Sequence, residues 1–325
     1  MKIVKLQFSI SDINFYHVSF INPILKGESI KMDLKKYELL ADVAETENFT
    51  LSGNKLGYTQ SGVSHIIKSL ENEMGFPLFV RTRRGVSLTD NGKKIVPLVR
   101  QLLSENSRLE QTISALNGLQ TGSINIGTYS SISINWLPKI IYEFQNDFPY
   151  IDIHMKEGGI DEIESWIENS TVDFGFCSHR PSQKFDWIPL HDDPLMAILP
   201  KDFKAPVNGT YAVSNFQDKP FIMSAFGIDY DIHLLLTKSG VKPYIRFSST
   251  DDHAIISMVA NHLGISILPN LIIQEWSSQV TTLPLEPYSF RSLGIGIKSL
   301  AHISPASKKF IEYTERILET AYSKS

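Results

Sequence analysis

Cysteine, long apolar runs and the common catalytic motifs are scarce or missing in this sequence. One cysteine, Cys177, stands in 325 residues, which excludes an internal disulfide and indicates a reducing compartment such as the cytoplasm. No stretch approaches the roughly 20 apolar residues that a membrane-spanning helix needs. Gly-x-Gly-x-x-Gly, Cys-x-x-Cys and His-Glu-x-x-His are all absent, so neither an enzyme nor a cofactor is predicted.

Histidines give little support for a metal site. The run His191-Asp192-Asp193 precedes Pro194 in what we expect to be a surface turn, where converging ligands and their supporting shell are not expected. His253 and His262 lie nine residues apart on one predicted helix, too far for one metal ion. We therefore predict no metal.

Positive charge is local. The formal net charge is −4, yet residues 79–94 carry five basic side chains and one acidic one. Residues 121–325 carry 16 basic and 23 acidic side chains. A basic segment inside an acidic chain suits phosphate docking at one place.

The stretch Thr50–Met74 predicts two short helices with a tight break at Gly57-Tyr58. Thr50 is expected to cap the first helix, with Leu51 and Leu56 pointing inward, and Thr59 to cap the second. In the second helix one face is apolar at helical spacing: Val63, Ile66, Ile67, Leu70 and Met74. The opposite face is small and polar: Gln60, Ser61, Gly62, Ser64, His65 and Lys68. An ordinary amphipathic helical pair would show the same periodicity; a helix-turn-helix is the other interpretation.

The following segment favours DNA binding. Residues 75–92 predict a β-hairpin with Gly85 at its turn and Arg81, Arg83 and Arg84 at its tip. Lys93 and Lys94 come next. A basic hairpin beside a recognition helix is the wing of a winged helix, and its arginines suit phosphate oxygens.

Residues 33–92 resemble the winged helix-turn-helix of LysR-type transcriptional regulators. The resemblance is carried by Ala44, Phe49-Thr50, Leu56, Thr59 to Ser64, Ile67, Leu70-Glu71, Gly75, Leu78-Phe79, Arg81 and Leu88 to Gly92. Ser52 and Gly53 stand where the family usually has two alanines, Gly62 where it has Ala or Thr, and His65 where Arg is common. We predict DNA contacts from Thr59, Gln60, Ser61, Ser64, His65, Lys68, Arg81, Arg83 and Arg84.

Residues 1–32 precede the resemblance, which begins at Met32-Asp33. Lys26-Gly27-Glu28 can be encoded by a purine-rich stretch like a ribosome-binding site at a sensible distance before the Met32 codon. We hypothesise that residues 1–32 are a misannotated or disordered extension; a β-rich extension is the alternative.

A long helix from about Asp90 to Asn117 links the two parts of the chain. Its seven-residue repeat predicts a dimerisation seam of Ile95, Val99, Leu102, Asn106, Leu109, Ile113 and Leu116. A lone helix packed on its own domain would also show an apolar stripe, but Asn106 in the seam favours a partner helix. The family dimerises through this linker, which implies an interrupted inverted repeat in double-stranded DNA.

From Ser123 onward, strands and helices alternate in two sets. The alternation predicts an α/β fold with mostly parallel sheets and two lobes joined by two crossovers. The resemblance implies an effector domain like a periplasmic binding protein. The predicted domains are 33–92 (winged helix-turn-helix), 93–121 (linker helix) and 122–325, with lobe I at 122–196 and 291–325 and lobe II at 197–290.

Ligands bind such sheets at the carboxyl ends of strands, between the lobes. Serine, threonine and glycine at these ends predict effector contacts from Tyr129, Ser130, Ser131, Gly159, Ser224 and Thr250. Each hydroxyl could equally be a helix cap. An anion, such as an organic acid, would suit the free N–H groups and hydroxyls.

These patterns together predict a cytoplasmic, effector-controlled transcriptional regulator that acts as a dimer or tetramer, with RNA polymerase as a further candidate partner. The alternative is a small-molecule binding protein or an α/β enzyme with an incidental helical domain.

Overall fold

The computed structural model describes residues 33–83, 85–118, 121–224, 230–274 and 278–322. The chain divides into two compact units between Leu103 and Ser104, a point that lies within one long helix. Within the described ranges, no helix is both long enough and apolar enough to cross a membrane. The hypothesis about residues 1–32 concerns a segment outside the described residues.

The first unit contains helices and a hairpin. Its elements are α1 (Leu34–Thr46), α2 (Phe49–Leu56), α3 (Gln60–Met74), β1 (Phe79–Thr82), β2 (Gly85–Leu88) and the beginning of α4 (Asp90–Leu116). β1 and β2 pair antiparallel, with Thr82 opposite Gly85 at the turn. The predicted winged helix-turn-helix is therefore confirmed as a fold.

Helix caps fix where these helices begin. Asp33 Oδ1 accepts a hydrogen bond from Lys35 N at 3.1 Å. Thr59 Oγ1 accepts one from Gly62 N at 3.1 Å, as predicted. The predicted Thr50 cap is wrong. Asn48 Oδ1 accepts from the backbone N–H groups of Thr50 and Leu51 instead, because an Asn two residues earlier is a strong N-cap.

The core of the first unit is the predicted stripe of α3 packed on α1 and α4. Val63, Ile67, Leu70 and Met74 are buried and Ile66 is half-buried. Leu51 was predicted to point inward, and this is wrong: its side chain is 56% exposed. Because α2 begins earlier than predicted, Ser52 and Gly53 occupy its buried face. On α1, Leu39 and Val43 are also fully buried.

Gly53 allows α2 and α3 to approach each other closely. A Cβ at this position would lie 2.6 Å from the carbonyl oxygen of Tyr58 and 3.2 Å from Cγ2 of Val63. The break itself uses Gly57, whose φ of 77° is left-handed backbone that glycine adopts without steric cost. Gly53 therefore fits the helix-turn-helix geometry in a way that alanine does not.

The second unit is α/β, as predicted. After the end of α4 its elements are β3 (Gly122–Thr128), α5 (Ser130–Asn135), α6 (Leu137–Asp147), β4 (Ile151–Glu157), α7 (Ile160–Glu168), β5 (Phe174–Ser178), β6 (Asp186–Pro200), β7 (Tyr211–Ala212), β8 (Pro220–Ser224), α8 (Tyr230–Lys238), β9 (Tyr244–Ser249), α9 (Asp252–Ala260), β10 (Ser266–Pro269), α10 (Asn270–Ile273), β11 (Val280–Glu286), β12 (Phe290–Ile297) and α11 (Pro305–Tyr322). Short 3₁₀ turns lie at Val213–Phe216 and Leu300–His302.

The sheet of the second unit is mixed. Its strand order is β4-β3-β5-β12-β6-β11-β7, with β10 also on β6, and β8 pairs with β9 separately. The parallel pairs are β3 with β4 and β5, β7 with β11, and β8 with β9. β6 pairs antiparallel with β10, β11 and β12, and β12 pairs antiparallel with β5. The strands predicted from sequence did not include β7 or β11, and in the β6 region they included only Pro194–Leu199.

Strand β6 corrects one sequence prediction in particular. His191, Asp192 and Asp193 were placed in a surface turn, but they lie in the middle of this 15-residue strand. Asp192 and Asp193 lie opposite Ser292 and Arg291 on β12. Pro194 lies where β6 changes partner: its pairing with β12 ends at Pro194, opposite Phe290, and its pairing with β10 begins at Leu195.

The second unit contains two lobes, each with its own hydrophobic centre. In the first lobe, fully buried Phe144, Phe174, Phe176 and Phe310 pack among β3, β5, α6 and α11. In the second lobe, Phe216 and Phe221 pack against Leu199 and Ile267, and a neighbouring cluster surrounds α9. β6 runs from one lobe into the other, so the strand is one of the predicted crossovers.

Candidate DNA-binding surface and effector pocket

The polar face of α3 is open to solvent. Thr59, Gln60, Ser61, His65 and Lys68 are exposed and Ser64 is half-buried. These side chains lie opposite the buried stripe that anchors the helix, so the helix can present them without disturbing its own packing. The structure thus places the predicted base-reading side chains together on one surface.

The hairpin β1–β2, the wing, is fixed to the helices beside it. Val86 N donates to the carbonyl oxygen of Glu47 at 2.9 Å. Glu71 Oε1 on α3 accepts from the N–H groups of Leu78 and Phe79 at 2.7 and 3.1 Å. Gly85, with φ of 146°, lies where a Cβ would be 2.3 Å from Glu47 O. The wing is therefore held at a fixed position relative to α3.

The predicted wing cations are exposed where the structure describes them. Arg81 and Arg83 lie on the outer part of the hairpin, and Lys93 and Lys94 lie on the first turn of α4. Lys93 Nζ is 3.5 Å from Asp90 Oδ1, a weak surface pair. Arg84 falls outside the described residues.

A groove of about 270 Å³ lies between α2, α3 and the wing. It is lined by Asn48, Phe49, Thr50, Gln60, Arg81, Thr82, Gly85 and Val86. The first residues of α2 and the Arg81 side chain therefore border the same groove. Asn48, Thr50 and Thr82 of this groove were not among the DNA contacts predicted from sequence.

The seam of α4 differs between its two halves. Val99 is buried and Ile95 and Leu102 are half-buried in the core of the first unit. Leu109, Ile113 and Leu116 are 60%, 54% and 84% exposed in the single chain. Asn106 Nδ2 donates to Glu110 Oε1 within the same helix at 3.0 Å. The second half therefore leaves an apolar strip open to solvent in the single chain.

Another face of α4 is attached to the second unit. Gln111 is 3% exposed, and its Nε2 donates to Ser123 O at 2.9 Å and to Ser107 Oγ at 3.2 Å. Its Oε1 accepts from Ala306 N at the beginning of α11. This buried amide orients the second half of α4 so that the apolar strip points away from the unit.

A pocket of about 310 Å³ lies between the lobes of the second unit. It is lined by Ser130, Ser131, Ile134, Asn135, Thr250, Asp251, Asp252, His253, Leu271 and Ile272. Of the predicted effector contacts, Ser130, Ser131 and Thr250 come together here, from the ends of β3 and β9. The volume is at the small end of the range for ligand pockets.

Tyr129, Gly159 and Ser224 do not line this pocket. The Tyr129 side chain is buried, and its hydroxyl accepts from Ser178 N at 3.2 Å. Gly159 N donates to Glu162 Oε2 within the first turn of α7. Ser224 is 1% exposed, and its Oγ has no hydrogen-bond partner among the described residues.

A buried ion pair lies directly behind the pocket. Arg291 and Asp193 are 3% and 1% exposed, and Arg291 Nε donates to Asp193 Oδ2 at 2.9 Å. Arg291 Nη2 also donates to Ser131 Oγ at 3.0 Å, and Asp193 Oδ1 accepts from Leu271 N at 3.0 Å. Ser131 and Leu271 both line the pocket, so the pair connects its two walls. The sequence contained no signal for this pairing, because the partners are 98 residues apart.

Two further carboxylates face the space between the lobes. Ser178 Oγ at the end of β5 donates to Asp231 Oδ2 on α8 at 2.8 Å, which links the lobes, and burial raises the pKa of Asp231. Asp252 lines the pocket, and burial raises the pKa of its carboxyl group to about 6. Its Oδ1 is shielded from solvent and lacks a hydrogen-bond partner among the described residues.

Cys177 is buried in the core of the first lobe. It is fully enclosed, and burial raises the pKa of its thiol far above the usual range. The thiol is therefore unreactive at neutral pH, as expected for a structural cysteine.

The geometry defines a class: a winged helix-turn-helix with an exposed polar recognition helix, joined by a long helix to a two-lobed ligand-binding unit. Two family models match the chain. "Bacterial regulatory helix-turn-helix protein, lysR family" matches residues 34–93, and "LysR substrate binding domain" matches residues 117–318. The chain belongs to the LysR family of transcriptional regulators. This result favours the regulator over the alternative of an enzyme with an incidental helical domain.

Relatives and solved structures agree with this assignment. The HTH-type transcriptional regulator YvbU of Bacillus subtilis (strain 168) is 29% identical over 289 residues, which cover 88% of this chain and 99% of YvbU. A full-length OxyR variant from Pseudomonas aeruginosa has a TM-score of 0.70 at 19% identity, covering 89% of this chain and 95% of that one. The effector-binding domain of QuiR in complex with shikimate has a TM-score of 0.55 at 21% identity, covering 62% and 99%. The two structures show a shared fold.

Proposed function

We propose that this regulator reads DNA with the exposed face of α3 and grips the backbone with the wing. Gln60, Ser61, Ser64 and His65 contact base edges in the major groove, while Thr59 and Lys68 at the margins of the face contact phosphates. Arg81, Arg83 and Arg84 contact phosphates from the wing. The observation that carries the proposal is the exposed polar face of α3 beside the anchored basic hairpin.

A selection of binding sites from a random duplex library tests these roles. Gln60→Ala and His65→Ala should each relax base preference at particular positions, because a base-reading side chain is lost. Lys68→Ala should weaken binding evenly across sequences, because a phosphate contact carries no sequence information. Unchanged base preference in both former variants would contradict the assignment.

The exposed strip of α4 supports a dimer. Leu109, Ile113 and Leu116 pair with the same strip of a second chain in a coiled-coil seam that Ile95, Val99, Leu102 and Asn106 continue. A two-fold dimer presents two recognition helices and therefore binds an interrupted inverted repeat. Tetramers would form by pairing of dimers through other surfaces, and RNA polymerase is a candidate partner at the promoter.

Sedimentation of the whole chain measures this association. Leu109→Lys combined with Ile113→Lys should reduce the mass in solution to that of one chain, because buried cations would face each other across the seam. Gln101→Lys, at an exposed position off the seam, is the matched control. A double variant that retains the parental mass would place the dimer interface elsewhere.

The pocket between the lobes is the proposed effector site. Ser130, Ser131 and Thr250 line it, whereas Tyr129, Gly159 and Ser224, which were also predicted as effector contacts, do not. An occupant touching Ser131 and Leu271 would act on the Arg291–Asp193 pair, which is held by both. Binding would thus change the relation between the lobes. We infer that the protein works in the cytoplasm by binding ligands rather than by catalysis.

Thermal unfolding of the whole chain with a library of small metabolites tests the site. A true effector raises the midpoint temperature by mass action. Ile134 lines the pocket and is 52% exposed, so a larger side chain there can fill the pocket. Ile134→Trp should therefore abolish that rise while leaving DNA binding intact. A midpoint rise that persists in this variant would place the effector site elsewhere.

A further inference from the structure

The pocket between the lobes has an acidic lining. Its charged lining residues are Asp251, Asp252 and His253, all at the beginning of α9. Asp251 Oδ1 accepts from His253 N at 2.9 Å as the helix cap, and His253 Nδ1 lies 4.0 Å from the same oxygen. The remaining lining residues are neutral. Two carboxylates on adjacent residues therefore set the sign of the local charge.

Arg291 does not reverse that sign, because its charge is already compensated. The guanidinium lies 2.8 Å from Asp193 Oδ2, donates to the Ser131 hydroxyl, and is 3% exposed. Asp193 alone offsets its full charge, and Asp231 adds a further carboxylate nearby. An incoming carboxylate would meet a site with more acidic than basic groups and would have to be stripped of its hydration there.

Asp252 lines the pocket and carries an enclosed oxygen that lacks a hydrogen-bond donor among the described residues. Its Oδ1 is shielded from solvent and has no hydrogen-bond partner among the described residues. The Arg291 charge lowers the pKa of this carboxyl group, but burial, which raises it, has the larger effect. A carboxylate oxygen deprived of both water and a donor is destabilised. A ligand that brings a positively charged donor to this carboxylate would relieve that cost, whereas an anion would increase it.

The other lining residues indicate the chemistry of the rest of such a ligand. Ile134, Leu271 and Ile272 form an apolar wall, and Ser130 and Thr250 supply hydroxyls at the rim. Asn135 Nδ2 is already used by Ser131 O and Leu271 O, both at 2.9 Å, so the amide leaves its oxygen as an acceptor. Acceptors beside a short apolar wall suit an alkyl chain that ends in hydrogen-bond donors.

We propose that the effector is a small primary amine, whose ammonium group lies against the Asp252 carboxylate and whose short apolar body packs on Ile134 and Ile272. This inference rests on the proposed function of the pocket as the effector site. It differs from the organic anion expected from sequence, because the carboxylates of Asp251 and Asp252 line the same pocket as Ser130 and Ser131.

Matched pairs of probes test the ligand class. Calorimetric titration of the whole chain would compare butylamine with butyrate and isopentylamine with isovalerate, at pH 7.5. The amines should bind and the carboxylates should not, with at least a tenfold difference in affinity within each pair. Binding of the carboxylates in preference to the amines, or binding of neither class, overturns the proposal.

Variants identify the residue that binds the ammonium group. Asp252→Asn keeps the shape but removes the charge and should weaken amine binding at least tenfold. Asp251→Asn, which retains the capping oxygen, is the matched control and should alter affinity less than threefold. Equal losses in both variants would contradict a specific role for Asp252.

A separate variant distinguishes failure of this inference from failure of the proposed site. Ile134→Trp should abolish binding of every probe that binds the parent chain. If carboxylates bind and Ile134→Trp abolishes their binding, the pocket is the effector site but the amine assignment is wrong. If a probe binds equally well to Ile134→Trp, the effector site lies elsewhere and both proposals fail.

Discussion

The charged groups to which we assign a function are exposed in the first unit and enclosed in the second. In the first unit the functional cations, Arg81, Arg83 and Lys68, are exposed at the surface. In the second unit Arg291 is enclosed with Asp193, and Asp252 has an enclosed oxygen without a hydrogen-bonding partner among the described residues. An exposed cation contributes little to folding and is available to an anionic polymer. An enclosed charge is costly unless it is compensated by a partner of opposite sign and by hydrogen bonds.

Removing the partner of the enclosed cation should have the largest effect. Asp193→Ala leaves Arg291 and the N–H group of Leu271 without their acceptor, so the free energy of unfolding should fall by about 3–5 kcal/mol. Chemical denaturation, followed by a probe in the second unit, measures the change. Asp192→Ala is the control: this neighbour is exposed and bonds to Ser292, so about 0.5 kcal/mol or less is expected. Similar losses of unfolding free energy in both variants would show that the enclosed Asp193 is no more important for stability than the exposed Asp192.

Two glycines in the helices of the first unit, Gly53 and Gly62, differ in how much room they leave for a side chain. Gly53→Ala places a Cβ 2.6 Å from a carbonyl oxygen and should destabilise this unit by about 1–3 kcal/mol. At Gly62 the nearest atom to an added Cβ is Thr59 Oγ1 at 3.2 Å, a side-chain atom that can move. Gly62→Ala should be neutral or stabilise by up to about 1 kcal/mol through helix propensity. Circular dichroism melts compare the two, and equal midpoints would be inconsistent with the close packing at Gly53.

The Asp252 carboxylate should lower the stability of the folded protein, whereas that of Asp193 raises it. Its pKa of about 6 lies above that of the unfolded chain, so the folded state binds more protons between about pH 4 and 6. Stability therefore falls as pH rises through that window, and the penalty persists above it. Arg291 on β12, and Asp251 and His253 at the start of α9, are the other charged groups that act on this carboxyl.

Replacing this carboxyl with an amide tests that assignment. Asp252→Asn should raise the free energy of unfolding at pH 7.5 by about 1–2 kcal/mol, after a discount for partial exposure, and have little effect near pH 4. Chemical denaturation at the two pH values measures the difference. A loss of stability at pH 7.5 would mean that the Asp252 carboxylate is already well compensated.

The wing arginines should show almost no effect on stability and a clear effect on DNA binding. Arg81→Ala with Arg83→Ala should weaken binding to all duplexes by about tenfold or more and reduce the slope of log affinity against log salt by about two. Fluorescence anisotropy at salt concentrations from about 50 to 300 mM measures the affinity and its dependence on salt. Arg246→Ala, an exposed arginine of the second unit, is the control and should leave the slope unchanged. An unaltered slope in the double variant would exclude the wing from phosphate binding.

Local patterns predicted the first unit well because its signals are local. The stripe of α3, the Thr59 cap and the turn at Gly85 all involve residues within a few positions of one another. The errors there, at Thr50 and Leu51, came from choosing one of two nearby capping residues. The close approach at Gly53 was not predictable from propensity, since it depends on where Tyr58 O lies after folding.

The second unit was predicted at the level of its alternating elements but not at the level of pairing. β6 contains three prolines and two adjacent aspartates, features that locally favour a turn. Its extended form is imposed by β12, which lies far along the chain. The pairing of Arg291 with Asp193 could not be predicted for the same reason, because the two residues are 98 positions apart. The seryl and threonyl hydroxyls at strand ends were found because strand ends are local signals, whereas Asp252 acquires its significance only from the pocket around it.

The enclosure of Cys177 has a practical consequence for watching the lobes move. Because the native thiol is sealed within the first lobe and the chain contains no second cysteine, cysteines introduced at exposed positions would be the reactive handles on the protein. A pair of such positions, one beside Ser130 and one beside Thr250, would report the width of the pocket mouth by label-to-label distance, with the native sequence otherwise intact.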